Sequence, residues 1–378
     1  MAIEAFDSPA GTRLVYGCGA IARLGELARE YGSRVLVVSD HGVAEAGHTQ
    51  HAVDSLEAAG LSVTSFVDVH QNPTTDDVAS CLAVARSAGV DLFVGLGGGS
   101  AIDTAKGCNF LLTNGGDMHD YQGFGKAGKP LLPLIAVPTT AGTGSECQSF
   151  ALIAEPNSHR KMACGDRKAM AVIALLDPVL TVTQPALVTA CTGIDAVGHA
   201  VEAAVTTRHT PISSLHAMEA FRLTSANFTR VLEAPDDLAA RGAMLLGAAH
   251  AGIAIENSML GAAHAMANPL TAQFGIVHGQ AVGTMLPHVV GYNCADAPTA
   301  TIYLELAAVA GLASVDALID LLAGFVEVAP FPSRLTAAGI VADAVPGLAA
   351  NAAEQWTAAF NPVAIAAADF EDLYRAAI

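Results

Sequence analysis

Charge is scarce in this chain: charged residues are 14% of its 378, against about a quarter in an average soluble protein. The shortfall is on the basic side, with 18 Lys and Arg facing 36 Asp and Glu for a formal net charge of −18. Such a field repels phosphate backbones and anionic lipid, which excludes nucleic acid and membrane surfaces as partners. With so little polar surface available, part of the exterior is expected to be covered, giving a homodimer or larger homo-oligomer. Cysteine is sparse as well: Cys18, Cys81, Cys108, Cys147, Cys164, Cys191 and Cys294 are odd in number and contain no Cys-x-x-Cys. That excludes a disulfide framework and a thiolate zinc site, and leaves reduced thiols that behave as small buried hydrophobes. A long hydrophobic run is missing too, since the richest stretch, residues 301–328, is broken by Glu305, Asp316 and Asp320 before the roughly 18 apolar residues that a membrane span needs. The opening residues 1–13 lack the basic region, apolar run and small-residue cleavage site of a secretion signal, so the expected compartment is the cytoplasm.

What is abundant is small and apolar: 52% hydrophobic residues and 36 Gly. This length implies two domains, because single cores rarely grow past about 250 to 300 residues. In the first half, short apolar runs at Val35–Ser39, Leu61–Val67, Leu92–Leu96 and Leu134–Val137 are separated by segments of helical length, the pattern of a parallel α/β domain. After Asp177-Pro178 and Gln184-Pro185 the chain turns to long Ala/Leu-rich segments, at residues 194–205, 213–232, 236–255 and 314–328, which read as helices. The expected organisation is therefore an α/β dinucleotide-binding domain over residues 1–184 and an all-helical domain over 185–378. An active site is expected in the cleft that two such halves form.

In the first half, the strand ending at Leu96 runs into Gly97-Gly98-Gly99-Ser100 and then a helix start. Bare backbone there lets a pyrophosphate approach N–H groups at the positive end of a helix. A second element, Gly17-x-Gly19, imitates the Rossmann fingerprint, but Arg13–Tyr16 before it is too short and mixed for a buried strand, so the triple glycine is preferred. Asp40 ends a strand and can accept bonds from an adenosine ribose diol; a turn-stabilising aspartate is the alternative. Pro138-Thr139-Thr140-Ala-Gly142-Thr-Gly144-Ser145-Glu146 again leads from a strand into hydroxyls and glycines, which suit phosphate or nicotinamide contact.

In the second half, Asp195 and His199 stand at i and i+4, on one face of a helix. His264 and His278 add two imidazoles in Ala-rich surroundings that offer a buried histidine little else to bond. Three His and one Asp form a nitrogen and oxygen set suited to divalent Fe or Zn, and catalytic in type if a position stays open. The remaining histidines, including His41, His48 and His51, show no comparable grouping and are expected at the surface or in loops.

Taken together, these motifs resemble the iron-containing (group III) alcohol dehydrogenases. The resemblance runs through Gly97 to Lys106, Pro138 to Glu146, Gly193 to Glu202, the His264 and His278 segments with Leu286-Pro-His288, and Asn361-Pro to Tyr374. It implies an Asp-His-His-His metal site on Asp195, His199, His264 and His278. It places the phosphate loop on Gly97, Gly98, Gly99 and Ser100, with Asp103 in the same cofactor motif, nicotinamide-side threonines at Thr139 and Thr140, and a cofactor-contacting lysine at Lys161. Asp40 sits where NAD-using members carry an acid. One departure concerns the proton path: most members have a second His four residues after the third ligand, and here that position is Asn268. The implied activity is hydride transfer between a small alcohol or aldehyde and NAD, aided by Fe(II), with Zn(II) as the alternative. Two other readings are weighed against it. A dehydroquinate synthase-type lyase would need a Lys/Arg-rich pocket that the second half lacks, and a non-catalytic descendant would not need the intact ligand set.

Overall fold

The structure is a computed structural model and describes residues 11–156 and 161–378; the secretion-signal reading of residues 1–10 lies outside them. The described residues gather into two compact units. One runs to Thr140 and resumes over Gly144–Gln184, and the other comprises Ala141–Thr143 and Pro185–Ile378.

The first unit is built on nine strands: β1 (Arg13–Tyr16), β2 (Arg34–Val38), β3 (Ser62–Phe66), β4 (Leu92–Gly97), β5 (Gly123–Phe124), β6 (Leu134–Pro138), β7 (Phe150–Ala154), β8 (Lys161–Gly165) and β9 (Ile173–Leu176). Helices α1 (Leu24–Ala28), α2 (His41–Glu45), α3 (His48–Ala58), α4 (Thr75–Ala88) and α5 (Gly99–Asn114) link them. Six strands form one sheet in the order β1-β9-β6-β4-β2-β3, every neighbouring pair parallel. The four apolar runs of the first half are β2, β3, β4 and β6 to within a residue or two. Strands β4, β6 and β9 are buried throughout, and β2 is buried apart from Arg34. Burial on both faces is why their sequences read as unbroken apolar runs. Strand β1 lies at the sheet edge with a half-exposed pattern, which accounts for its mixed composition. The three-stranded sheet β5-β8-β7 goes beyond the expected pattern.

From β2 the chain passes through α2 and α3 to β3 on one side, whereas from β4 it passes through α5 to β6 on the other. The connections diverge at the β2/β4 pair, the topological switch point where open α/β sheets leave a crevice for a ligand.

The second unit is helical: α6 (Ala186–Val205), α7 (Pro211–Glu233), α8 (Leu238–Glu256), α9 (Ala262–Phe274), α10 (His278–Asn293), α11 (Ala297–Val309), α12 (Val315–Val328), α13 (Val345–Ala353) and α14 (Ala367–Ala376). Small residues let α6 sit in the middle. A side chain at Gly198 would stand 2.6 Å from Val282 of α10, and one at Gly283 would stand 2.5 Å from Ile194 of α6. Helix α8 is long and apolar enough to cross a membrane by length and composition, but 67% of that window is buried inside the fold, as befits a core helix packed on α6 and α7. Among the described residues every cysteine is free, and five of the seven are buried.

Candidate functional site

Helix α6 presents Asp195, His199 and Glu202 on one face, and α9 and α10 bring histidines to it. Helix α10 can start close against α6 because residue 279 is glycine: any side chain there would collide with the Cys191 carbonyl. This approach sets His278, the first residue of α10, opposite Asp195 one turn further along α6. Asp195 Oδ1 then has His264 Nε2 at 3.4 Å, His199 Nε2 at 3.5 Å and His278 Nε2 at 3.9 Å. Four ligands about 2.1 Å from a common tetrahedral centre would stand about 3.4 Å apart, so the spacing fits one small ion. Ligand atoms of Asp195, His199 and His264 all lie within 4.8 Å of one another. His278 is at the rim, with a side chain 25% exposed against 4% for His264.

Glu202 stands behind the cluster. Its Oε2 accepts from His264 Nδ1 at 2.5 Å and from the Gly261 N–H at 3.1 Å, while Oε1 accepts from the Ala263 N–H at 2.6 Å. The carboxylate thus occupies the N-terminus of α9, where the helix dipole favours negative charge, and turns His264 Nε2 toward Asp195. Neither His264 Nε2 nor Asp195 Oδ1 has a hydrogen-bond partner among the described residues. Buried polar atoms left this way are costly, and a cation between them satisfies both. Electrostatics agree. Burial pushes the Asp195 carboxyl up, but the surrounding imidazoles, led by His199, overcome it and hold it below the usual carboxylate range. Burial lowers the His199 imidazole despite Asp195. For His264 burial is outweighed by Glu202 and Asp195, which raise it to about 9. Positive charge is therefore favoured beside Asp195, whether a proton on His264 or a cation that takes its place. Asn268, one turn beyond His264 on α9, donates from Nδ2 to Gln355 Oε1 at 3.0 Å.

In the sheet unit, Gly97 and Asp40 face each other across the switch point. Gly97 has φ +149°, and a side chain on it would stand 2.9 Å from Ala101 Cβ and 3.2 Å from Asp40 Oδ2. Asp40 also caps α2, its Oδ1 accepting from the Val43 N–H at 2.9 Å. The turn-stabilising role and a second oxygen beside the glycine loop thus coexist in one half-buried carboxylate. Gly98 is the N-cap of α5, and Gly99 and Ser100 form its first turn, so their N–H groups are the free ones at a helix start. Thr140 borders Gly98, and the Thr139 N–H donates to the Gly97 carbonyl at 2.9 Å. Asp103 is buried, with one oxygen accepting from Ser145 Oγ at 2.6 Å and the other from the Leu152 N–H at 3.0 Å. Lys161 opens β8 and acts electrostatically on Asp103. At the discounted Gly17-x-Gly19 element, the N–H groups of Gly19 and Ile21 are already taken by Asp177, at 3.0 and 3.1 Å.

Two readings need correction or addition. His48 is buried in α3 against Thr183, and His216 of α7 meets His250 of α8 with Nδ1 atoms 2.8 Å apart, so these histidines are neither ungrouped nor in loops. A sequence reading pairs residues only along one helix, and this pair forms across two. Glu202, which holds His264 from behind, is the residue that the sequence alone does not single out; its signal is the i, i+4, i+7 face that it shares with Asp195 and His199.

A parallel dinucleotide-type sheet followed by a helical unit that carries a nitrogen and oxygen ion cradle suits a nucleotide-linked enzyme that uses a metal ion. Residues 11–178 match the family described as iron-containing alcohol dehydrogenase, and residues 189–378 match the C-terminal domain of the same family. The chain belongs to the iron-containing alcohol dehydrogenase family. It is 37% identical over 297 residues to alcohol dehydrogenase 4 of Schizosaccharomyces pombe, covering 78% of this chain and 70% of that one. It is 34% identical to the NAD-dependent methanol dehydrogenase of Bacillus methanolicus over 74% of each. The crystal structure of a 1,3-propanediol oxidoreductase superposes with a TM-score of 0.94 at 30% identity, over 99% of this chain and 100% of that one. The family and these relatives make it an NAD-linked, metal-dependent enzyme that interconverts alcohols and aldehydes.

Proposed function

We propose that Asp195, His199, His264 and His278 hold a divalent iron and that Gly97, Gly98, Gly99, Ser100, Thr139, Thr140 and Asp40 receive NAD, for the oxidation of a small alcohol or the reduction of its aldehyde. On this reading residues 1–184 serve as the dinucleotide-binding domain and residues 185–378 as the metal and substrate domain. The observation that carries it is the convergence of three imidazole Nε2 atoms on one oxygen of Asp195, at 3.4 to 3.9 Å. Bound there, the ion supplies Lewis acidity to an alcohol or carbonyl oxygen, and NAD supplies the hydride acceptor.

The chain's own residues do the rest. Glu202 fixes the His264 ring and its tautomer, so that Nε2 presents a lone pair. Asp195 contributes the negative charge that three neutral imidazoles lack. The most exposed of the four, His278, marks the side from which substrate approaches. The N–H groups at the start of α5 are placed to receive a pyrophosphate, and Asp40 Oδ2 is placed to accept from a ribose hydroxyl. Asp103 serves the cofactor site by holding Ser145 and thereby the segment after Thr140, and Lys161, which acts electrostatically on Asp103, is the cofactor-contacting lysine. Asn268 borders the path by which a proton leaves the site. Free cysteines support a reducing, cytoplasmic setting, and the low charge supports a homodimer or larger homo-oligomer. The test is steady NADH formation from a panel of small alcohols on protein reconstituted anaerobically with Fe(II), with Zn(II) in parallel. Turnover with neither metal and no alcohol in the panel would reject the reading.

A further inference from the structure

The run that carries Thr139 and Thr140 is fastened at both ends within the sheet unit. At the front, the Thr139 N–H donates to the Gly97 carbonyl, the Gln184 side-chain amide donates to the Thr139 carbonyl, and Thr140 borders Gly98. At the back, Lys106 of α5 is fully buried. Its Nζ donates to the Ser145 carbonyl at 2.7 Å, the Ser145 hydroxyl at 2.9 Å, and the Gln148 and Phe150 carbonyls at 2.8 Å each. Helix α5 is the same helix whose first turn is the glycine loop.

Between these two anchors the chain leaves that unit for three residues, Ala141–Thr143, which belong with the helices. There Gly142 lies against α6. A side chain on it would stand 2.6 Å from the Thr192 carbonyl oxygen, one turn before Asp195. The Gly142 backbone is also the polar group that acts on the His199 imidazole. His199 Nδ1 makes no full hydrogen bond among the described residues, so it is open to a firmer bond from this run. A metal-ligating histidine whose outer nitrogen is fixed by a backbone carbonyl binds its ion about 10- to 100-fold better.

We propose that the Thr139–Ser145 run links the two sites: occupation of the dinucleotide site tightens metal binding, and metal binding tightens the dinucleotide, with Gly142 as the positioning residue and Lys106 as the staple. This rests on the reading of both sites given above. A ligand that binds Thr139, Thr140 and the glycine loop tightens the existing anchor at the front of the run, as Lys106 does at its back. Holding the Gly142 carbonyl on His199 then costs less conformational freedom, and thermodynamic linkage makes the effect equal in both directions.

The experiment titrates Co(II) into metal-stripped full-length protein, following its visible spectrum and competition with a chelator, with and without saturating ADP-ribose. This probe carries the phosphates and both riboses but no nicotinamide, so it cannot act by touching the ion through the ring. ADP-ribose should tighten Co(II) about tenfold, within the usual range of about 5- to 150-fold for coupled sites, and Co(II) should tighten ADP-ribose by the same factor in calorimetry. Gly142→Ala should bind both ligands with the coupling cut to below about twofold. Gln184→Ala, which frees the Thr139 carbonyl without crowding α6, should reduce it as well and carries the test if Gly142→Ala does not fold. Binding of both ligands to the wild type without mutual effect overturns the linkage and leaves the site reading intact, as does full coupling retained in the variants. Failure of Co(II) or ADP-ribose to bind at all overturns the site reading itself.

Discussion

Glu202 Oε2 accepts from His264 Nδ1 at 2.5 Å, with both side chains 4% exposed. The same carboxylate also takes the N–H groups of Gly261 and Ala263, so it both starts helix α9 and aims the imidazole that α9 carries. Glu202→Gln puts an amide NH₂ among donors. It should lower metal affinity about 10- to 100-fold, read as metal retained after dialysis against a chelator. Glu202→Ala leaves two buried N–H groups unpaired and should cost about 1–3 kcal/mol for each in denaturant unfolding. Unchanged metal affinity in Glu202→Gln would show that the imidazole holds its orientation without this partner.

Removing a ligand should separate metal from fold. His199→Ala and His264→Ala each delete one donor of the proposed four-donor site while α6 and α9 remain packed by their apolar faces. Both variants should lose the ion and turnover yet keep wild-type circular dichroism. A variant that retains stoichiometric metal and near-normal rate would remove that histidine from the ligand set.

Much of this was legible in the sequence, and the rest was hidden for physical reasons. Strands β2, β4 and β6 declared themselves because burial on both faces forbids polar residues along them. Asp195 and His199 declared themselves because four residues is one helical turn. Helix α6 was legible only from Ile194, because Ala186–Gly193 holds too many small and polar residues to show a stripe. The small sheet β5-β8-β7 gave no signal, since β5 is only two exposed residues and the partly exposed β7 and β8 show no alternation of polar and apolar side chains. Contacts that depend on close approach in three dimensions, such as Gly279 on Cys191, Gly142 on Thr192 and His216 on His250, have no period to read.

Asp40 should make the enzyme prefer NAD to NADP. Its Oδ2 is available to a ribose 2′-hydroxyl and repels a 2′-phosphate, and a charge-assisted bond of about 1.5–3 kcal/mol corresponds to roughly 10- to 100-fold discrimination. Asp40→Gly should erode that preference. Because Oδ1 also caps α2, the variant should lose only a few tenths of a kcal/mol, the usual difference between Asp and Gly at an N-cap. Equal kcat/KM for both cofactors in the wild type, or an unchanged ratio in the variant, would leave Asp40 as a capping residue alone.

Glu146 should make stability fall as pH rises. The residue is 1% exposed, with no partner for Oε1 among the described residues. Burial lifts its carboxyl from 4.5 to about 7, against the opposing pull of its own backbone N–H and Lys106. The folded state therefore holds this proton more tightly than the unfolded chain does. The resulting stabilisation is fully present below about pH 4.5 and is lost as pH rises through about 7. At about 1.4 kcal/mol per pKa unit the loss is roughly 3 kcal/mol. Glu146→Gln imitates the protonated form, so it should match the wild type near pH 4.5 and unfold at a higher temperature than the wild type at pH 8. Equal differences in Tm at both pH values would show that the carboxyl does not titrate in this window.

Asn268 should set the pH profile of turnover. It lies one turn beyond His264, on the same face of α9, and its amide is held by Gln355 Oε1 at 3.0 Å. An amide donates and accepts hydrogen bonds without titrating, whereas an imidazole at this position could exchange a proton near neutral pH. The proposed metal ligands do not include this residue, so catalysis in the wild type should proceed without it, with the alcohol proton leaving through water or cofactor hydroxyls. Asn268→His keeps a donor within reach of Gln355 and adds a titratable group beside the site. It should add an ionisation to kcat/KM within about a unit of 6.5 and shift the alcohol preference, while metal content and circular dichroism stay as in the wild type. Should the variant reproduce the wild-type pH profile and substrate range, the Asn268 side chain serves only to join α9 to Gln355, and the proton leaves by a route that avoids this face of the helix.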